Sequence, residues 1–183
     1  MKIPIILGTA RNGRRSERAA KFMYNVVKDR FGLDTLLIDV KNFIIGYTDD
    51  AQMTEQSKRY VELIKDMDGL IIVTPEYSHG YPGELKILLD STWREYFRRP
   101  LGIAAVSSGK GGTRVVDMLR TVAIDLGFVP IRRAIYFAPI DSILDEDGRL
   151  LNQDFMNSVD KFMSELIWFA KVLKWGRDNV PED

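Results

Sequence analysis

Three short stretches of this chain combine residue types suited to holding an anion and a flat ring. The first is Gly8-Thr9-Ala10-Arg11-Asn12-Gly13-Arg14-Arg15-Ser16, which runs directly into a helix-period stretch. Small residues permit a tight turn, and free N–H groups at a helix start point outward. The hydroxyls of Thr9 and Ser16 with the guanidinium groups of Arg11, Arg14 and Arg15 add donors and positive charge for a phosphate dianion. Gly8 and Gly13 have the spacing of a Walker A pair, yet Arg14 and Arg15 stand where that motif needs Lys then Ser or Thr, which argues against a nucleoside triphosphatase. The dinucleotide fingerprint fails as well, because Gly8-Thr9-Ala10 offers no second glycine for close approach of a pyrophosphate. Asp39 therefore reads as a strand-end or loop carboxylate rather than a ribose ligand, and Ser16 reads as the helix N-cap.

The second stretch is Thr74-Pro75-Glu76-Tyr77-Ser78-His79-Gly80-Tyr81-Pro82-Gly83. Its prolines and glycines impose a non-repetitive backbone whose amides can be aimed at a planar heterocycle, and Tyr77 and Tyr81 offer flat apolar faces beside it. Pro82 suits the first turn of the helix that follows. His79 is the only histidine; it has no evident metal partners, and no carboxylate or nucleophile is obviously paired with it for acid–base work. The third stretch, Ser107-Ser108-Gly109-Lys110-Gly111-Gly112-Thr113, also enters a helix. Gly109, Gly111 and Gly112 allow positive φ and close backbone approach to a ligand, with Thr113 as the expected cap.

These loops need a frame that brings them together. Apolar runs at Ile3–Leu7, Thr35–Val40, Leu70–Thr74, Leu101–Ser107 and, less sharply, Val129–Phe137 read as five strands buried on both faces. Between them, Ala19, Ala20, Met23, Val27 and Phe31 recur at helical spacing, as do Val61, Ile64 and Met67. Leu85, Leu88 and Leu89 mark a third helix, and Val115, Val116, Leu119, Val122, Ala123 and Leu126 a fourth. A long fifth carries Phe155, Val159, Phe162, Leu166, Phe169 and Leu173 on one stripe. Strict strand–helix alternation with right-handed crossovers predicts an α/β fold, a doubly wound five-stranded parallel sheet of order 2-1-3-4-5 with helices on both faces. In that order strands one, three and four end side by side, so the three loops form one rim at the carboxyl edge, where such sheets bind ligands.

Composition narrows the partner. The 183 residues suit a single domain spanning residues 1–183; 26 Lys plus Arg balance 26 Asp plus Glu with no long single-sign block, so a nucleic-acid binder is not indicated. The chain has no cysteine, which removes disulfides, thiolate metal sites and cysteine nucleophiles. No apolar run approaches the roughly 20 residues of a membrane span, and Ile3–Leu7 is too short for a signal core, so the reading places the protein in the cytoplasm without membrane attachment. Asp145-Glu146-Asp147-Gly148 is a turn rather than a calcium loop, because Ile143 would fall at the first ligand position. No metal site is expected.

Gly8-Thr9-Ala10-Arg11 with Ser16, Pro75 through Gly83 with Leu85-Lys86 and Asp90, and Ser108-Gly109 through Gly112 with Leu119-Arg120 together resemble the NAD(P)H-dependent FMN reductase family. This is the flavodoxin-like group that includes quinone, azo-dye and chromate reductases, and the likeness runs nearly end to end. The resemblance implies that Thr9, Arg11 and Ser16 hold the FMN phosphate, that Pro75, Glu76, Tyr77, Ser78 and His79 line the isoalloxazine, and that the glycine loop from Ser108 borders the same ring. Ile87 and Ser78 stand where members commonly carry Asn, so ring contacts should differ in detail. The segment Trp93-Arg94-Glu95-Tyr96-Phe97-Arg98-Arg99 is bulkier and more basic than the pattern. It reads either as a helix end packing on its own sheet or as part of a homodimer interface, as related reductases form, alone or as a dimer of dimers.

The implied activity is hydride transfer from NADPH or NADH to bound FMN and onward to a small acceptor such as a quinone, free flavin, azo compound or metal oxyanion. No protein nucleophile or paired catalytic acid is needed, because the cofactor carries the chemistry. An electron-transfer flavodoxin and a non-enzymatic FMN-binding protein are the alternatives. The formally neutral charge speaks against the first, since flavodoxins are usually strongly acidic. A phospho-receiver domain would need acidic residues where this chain has Gly8-Thr9 and Thr74-Pro75.

Overall fold

The computed structural model describes residues 1–43, 45–47 and 54–181. Five strands, β1 (Ile5–Leu7), β2 (Leu37–Asp39), β3 (Leu70–Pro75), β4 (Pro100–Val106) and β5 (Val129–Phe137), pair in the order β2-β1-β3-β4-β5. Every pairing is parallel, as the alternation predicts. Among the described residues, α1 (Ser16–Asn25), α2 (Glu55–Ile64), α3 (Gly83–Leu89) and α4 (Thr113–Asp125) lie between the strands, and α5 (Phe155–Asn179) follows the last of them.

The sheet divides the core into two apolar layers. Ile5 and Leu7 of β1 face α1 and α5, meeting Ala19, Ala20, Met23, Val159, Phe162 and Leu166. Ile6, one residue out of phase, faces the other side with Tyr60 and Ile64 of α2, Leu85, Leu88 and Leu89 of α3, and Val115, Val116 and Leu119 of α4. Burial on both faces is why β1, β3 and β4 read as unbroken apolar runs. β5 is an edge strand, and its pattern is less sharp for a structural reason. Its register against β4 shifts between Leu101 and Ile103, which bulges the strand and leaves Arg132 and Arg133 exposed.

Several elements differ from the sequence reading. β1 and β2 are shorter than their apolar runs: Pro4 has no N–H to offer a ladder ahead of β1, and Val40 turns into a short 3-10 helix at the end of β2. α1 passes into a wider π-helical turn, Val26–Arg30, which buries Val26 as well as Val27. On α5, Ala170 and Met163 are buried, while Phe169 is only partly covered. The segment Trp93–Arg99 packs in part on its own sheet. Tyr96 turns inward, stacked on Phe128 with its hydroxyl donating to the Tyr60 hydroxyl oxygen at 2.9 Å, while Trp93 and Phe97 stay exposed. Among the described residues, no helix is long and apolar enough to cross a membrane.

Candidate functional site

β1, β3 and β4 are neighbours in register, with Leu7 beside Val73 and Pro75 beside Val106, so the loops that leave them share one edge. Gly8 is the first pivot. Its amide donates to Val73 O at 2.8 Å, and a Cβ there would come within 3.1 Å of the Thr74 side chain and 3.0 Å of Leu85, so a side chain at this position would need those neighbours to give way.

The first loop is split into an occupied end and an open one. At the strand end, Thr9 is fully buried; its hydroxyl donates to Glu84 Oε1 at 3.1 Å and lies 3.3 Å from the Tyr77 hydroxyl. Ala10 N–H donates to the same Glu84 oxygen at 2.8 Å. At the helix end, Arg14 N–H closes a turn on Arg11, while the N–H groups of Asn12, Gly13, Arg15 and Ser16 and the Arg11 guanidinium have no acceptor among the described residues. Ser16 Oγ is buried there, also without a hydrogen-bond partner. A buried hydroxyl left unsatisfied calls for an explanation. A phosphate oxygen held by the neighbouring amides supplies one, so these residues fit the phosphate of FMN.

The arginines do not act as a set. Arg14 is almost buried, with its side chain 7% exposed; it clasps the Asp39 carboxylate through both terminal nitrogens, donates to Thr9 O and lies 3.6 Å from Glu17. Its donors are used in fixing the loop to the end of β2, which also gives Asp39 the strand-end role the sequence assigned it. Arg15 and Arg18 converge on Asp141 after β5, and the hydrogen bond from Arg18 holds that carboxyl below its ordinary range. A polar cleft of about 380 Å³ beside α1 is lined by Arg14, Glu17, Arg18, Lys21, Glu146 and Asp147, where Lys21 and Glu17 also pair. Of the three loop arginines, Arg11 alone keeps a free guanidinium among the described residues. Ser16 is the first residue of α1 rather than its cap; Arg15 holds that position and makes no side-chain capping bond.

The loop after β3 is a folded rim. Tyr77 and Gly80 exchange two backbone hydrogen bonds of 2.8 Å, and Ser78 and His79 between them have φ of 48° and 70°. Positive φ at both central residues is the requirement of a two-residue mirror-type turn, which glycine or asparagine usually fills. Pro82 is the N-cap of α3, one position earlier than predicted. His79 is 69% exposed in its side chain; one ring nitrogen lies 3.7 Å from Glu76 Oε1, and Arg114 of α4 contacts the ring.

Glu76 joins this loop to the glycine loop. Its Oε2 accepts from Gly112 N at 3.1 Å and from Val115 N at 3.3 Å. It thereby caps α4 from outside, the task the sequence reading assigned to Thr113; the actual N-cap is Gly112. Gly112 has φ of 99°, and a Cβ there would lie 2.8 Å from that of Ala105, so glycine is required on both counts. Ser107 Oγ accepts from Gly109 N at 3.2 Å and tightens the same loop, bringing Ser108, Gly109 and Gly111 to the rim. Among the described residues, no three His, Asp or Glu side chains converge as metal ligands.

Sequence reasoning missed Glu84 and the interloop role of Glu76. Glu84 was legible in part, since a residue right after Gly83 must lie in the first turn of α3 at this edge; its partners are 74 and 75 residues away along the chain.

Residues 1–141 match the protein family described as NADPH-dependent FMN reductase. The chain is 27% identical to a 2-hydroxy-1,4-benzoquinone reductase from a Burkholderia species, with 97% of each chain covered. It is 30% identical to an NAD(P)H-dependent FMN reductase of Schizosaccharomyces pombe, over 73% of this chain and 69% of that one. Among solved structures, the fold is similar to that of FerB, a flavoenzyme NAD(P)H:(acceptor) oxidoreductase from Paracoccus denitrificans, with a TM-score of 0.75, 16% identity and coverage of 94% of this chain and 97% of that one. With residues 1–141 of its 183 matched by the family, this chain belongs to the NADPH-dependent FMN reductase family.

Proposed function

We propose that this protein is an FMN-dependent NAD(P)H oxidoreductase that passes electrons to a small acceptor of the quinone, free flavin, azo or metal-oxyanion type. The observation that carries the reading is Ser16 Oγ, buried and unpartnered beside free amides and Arg11 on the carboxyl edge of the sheet. Arg11, Ser16 and the amides of Asn12, Gly13, Arg15 and Ser16 would receive the phosphate, with Thr9 closing the strand end of the loop. Pro75, Glu76, Tyr77, Ser78 and His79 would line the isoalloxazine, and Ser108, Gly109, Gly111 and Gly112 would border it. Arg14 and Arg15 contribute positive potential and fix the loop, while their donors stay with Asp39 and Asp141. FMN, when bound, supplies two-electron acceptance from the nicotinamide and donation to the acceptor.

The protein's own task is placement: the turn at Tyr77–Gly80 and the Glu76 bridge fix the spacing of the two ring-facing loops before any ligand arrives. A pre-set site lowers the ordering cost of binding. Relatives named for quinone, azo and flavin reduction support a broad small-molecule acceptor range. Steady-state kinetics with NADPH or NADH and a benzoquinone test the reading: parallel double-reciprocal lines are expected, and turnover that does not depend on FMN would refute it.

The same reading takes the chain as one domain, located in the cytoplasm and working as a homodimer or dimer of dimers. Trp93 and Phe97, 62% and 45% exposed beside the buried Tyr96, are the side chains we assign to that interface. Size-exclusion chromatography with light scattering decides it, and a monomer at micromolar concentration would end the assignment.

A further inference from the structure

Glu84 places a full negative charge on a loop otherwise built for an anion. Its Oε1 takes the Ala10 N–H at 2.8 Å and the Thr9 hydroxyl at 3.1 Å, two donors of the first loop. Thr9 Oγ1 also lies 3.4 Å from Arg11 N, so the donors at the strand end are drawn toward protein oxygens. Glu84 is held in place by the first turn of α3, where Leu85 packs in the core, and the Tyr77 hydroxyl closes the other side of Thr9. The donors left open begin at Arg11 and end at the unpartnered Ser16. Carboxylate and phosphate compete for the same N–H and O–H groups, and like charges sharing one loop oppose each other.

We propose that Glu84 is a specificity-determining residue for the flavin's phosphate. It holds the strand end of the loop as a resident anion, confines an incoming phosphate to the helix end between Arg11 and Ser16, and opposes it electrostatically. The inference rests on the FMN reading. Its consequence is a muted preference for FMN over riboflavin and a cofactor that exchanges with solution rather than staying permanently bound. Glu84→Gln keeps an oxygen for Ala10 N–H and removes the charge, which separates loop-holding from repulsion.

The test compares the affinities of wild type and Glu84→Gln for FMN and for riboflavin, read by flavin fluorescence on the full chain stripped of cofactor. FMN affinity should rise about three- to tenfold in the variant, as for like charges a loop apart at partial screening. Riboflavin affinity should stay within about twofold, and the FMN gain should shrink as salt is added. An unchanged or weakened FMN affinity, or an equal factor for both flavins, would make Glu84 a loop anchor only and overturn the proposal. Failure of the wild type to bind either flavin would overturn the FMN reading along with it, so the two failures are distinct. Should Glu84→Gln fold poorly, Glu84→Ser, a residue well tolerated at a helix start, must give the same sign.

Discussion

The carboxylate of Glu76 accepts a 3.1 Å hydrogen bond from the amide of Gly112, so the loop after β3 caps the helix that follows β4. A charged acceptor at a helix start satisfies orphan amides and complements the dipole there. Because both loops belong to the proposed ring site, one side chain serves helix stability and site spacing together.

Glu76→Ala should therefore destabilise the cofactor-free protein by about 0.5–2 kcal/mol, the range for loss of a cap, and weaken FMN binding as well. Glu76→Gln, which retains an acceptor oxygen, should recover most of the stability. Urea denaturation and flavin fluorescence measure the two effects, and a stable Glu76→Ala protein with unchanged FMN affinity would show that the bridge does not set the site.

Ser16 should behave in the opposite way. Its hydroxyl is buried without a partner in the protein alone, so Ser16→Ala should leave stability unchanged or raise it slightly. FMN affinity should fall by a factor of about 10, the value of a hydrogen bond to a charged group, while riboflavin affinity holds. Equal loss for both flavins would place the phosphate elsewhere.

The turn at Ser78 and His79 carries backbone conformations that favour asparagine or glycine. Ser78→Asn should stabilise the protein by roughly 0.5 kcal/mol, within the usual gain from matching residue to conformation. Thermal melting of the pair of proteins reads the difference, and a lower melting temperature for the Asn variant would count against strain at this position.

Stability should also fall at both pH extremes through identifiable groups. Burial alone would raise the Asp68 pKa, but the Lys2 amide and the Lys174 ammonium outweigh it and hold the carboxyl below its ordinary range. A depressed carboxyl stabilises the fold above its unfolded pKa, and that contribution disappears as the pH falls through the folded value. Burial raises the pKa of both Tyr60 and Tyr96, so their stabilising contribution is complete below about pH 10 and is lost at higher pH, where the unfolded phenols ionise. Two tyrosines should ionise only on unfolding, as followed by ultraviolet difference absorbance. Asp68→Ala should cost about 1.5–3 kcal/mol at neutral pH and flatten the acid limb of the stability profile.

The sequence made the sheet order legible because burial on both faces leaves β1, β3 and β4 as apolar runs that helix-period stretches separate. It made the rim legible because glycine, proline and hydroxyl residues cluster densely where those strands end. What stayed hidden was which polar partners meet. Arg14 reads like a phosphate ligand until Asp39, 25 residues on, is seen to take its guanidinium. Glu76 reads only as a ring-lining residue, and Glu84 carries no role, until the fold brings amides 36 and 74 residues away against them. Cap positions moved by one residue at Ser16, Pro82 and Thr113, because Arg15 and Gly112 hold the flanking positions that spacing alone cannot assign.

The most direct measurement is an anaerobic titration of the FMN-reconstituted protein with NADPH and then NADH, followed through the visible flavin band. The account predicts protein-bound flavin that is bleached stoichiometrically and rapidly by at least one nucleotide, and recolours when a quinone is added. Bound flavin that neither nucleotide reduces would contradict the reductase assignment, and absence of bound flavin would contradict the three-loop site itself.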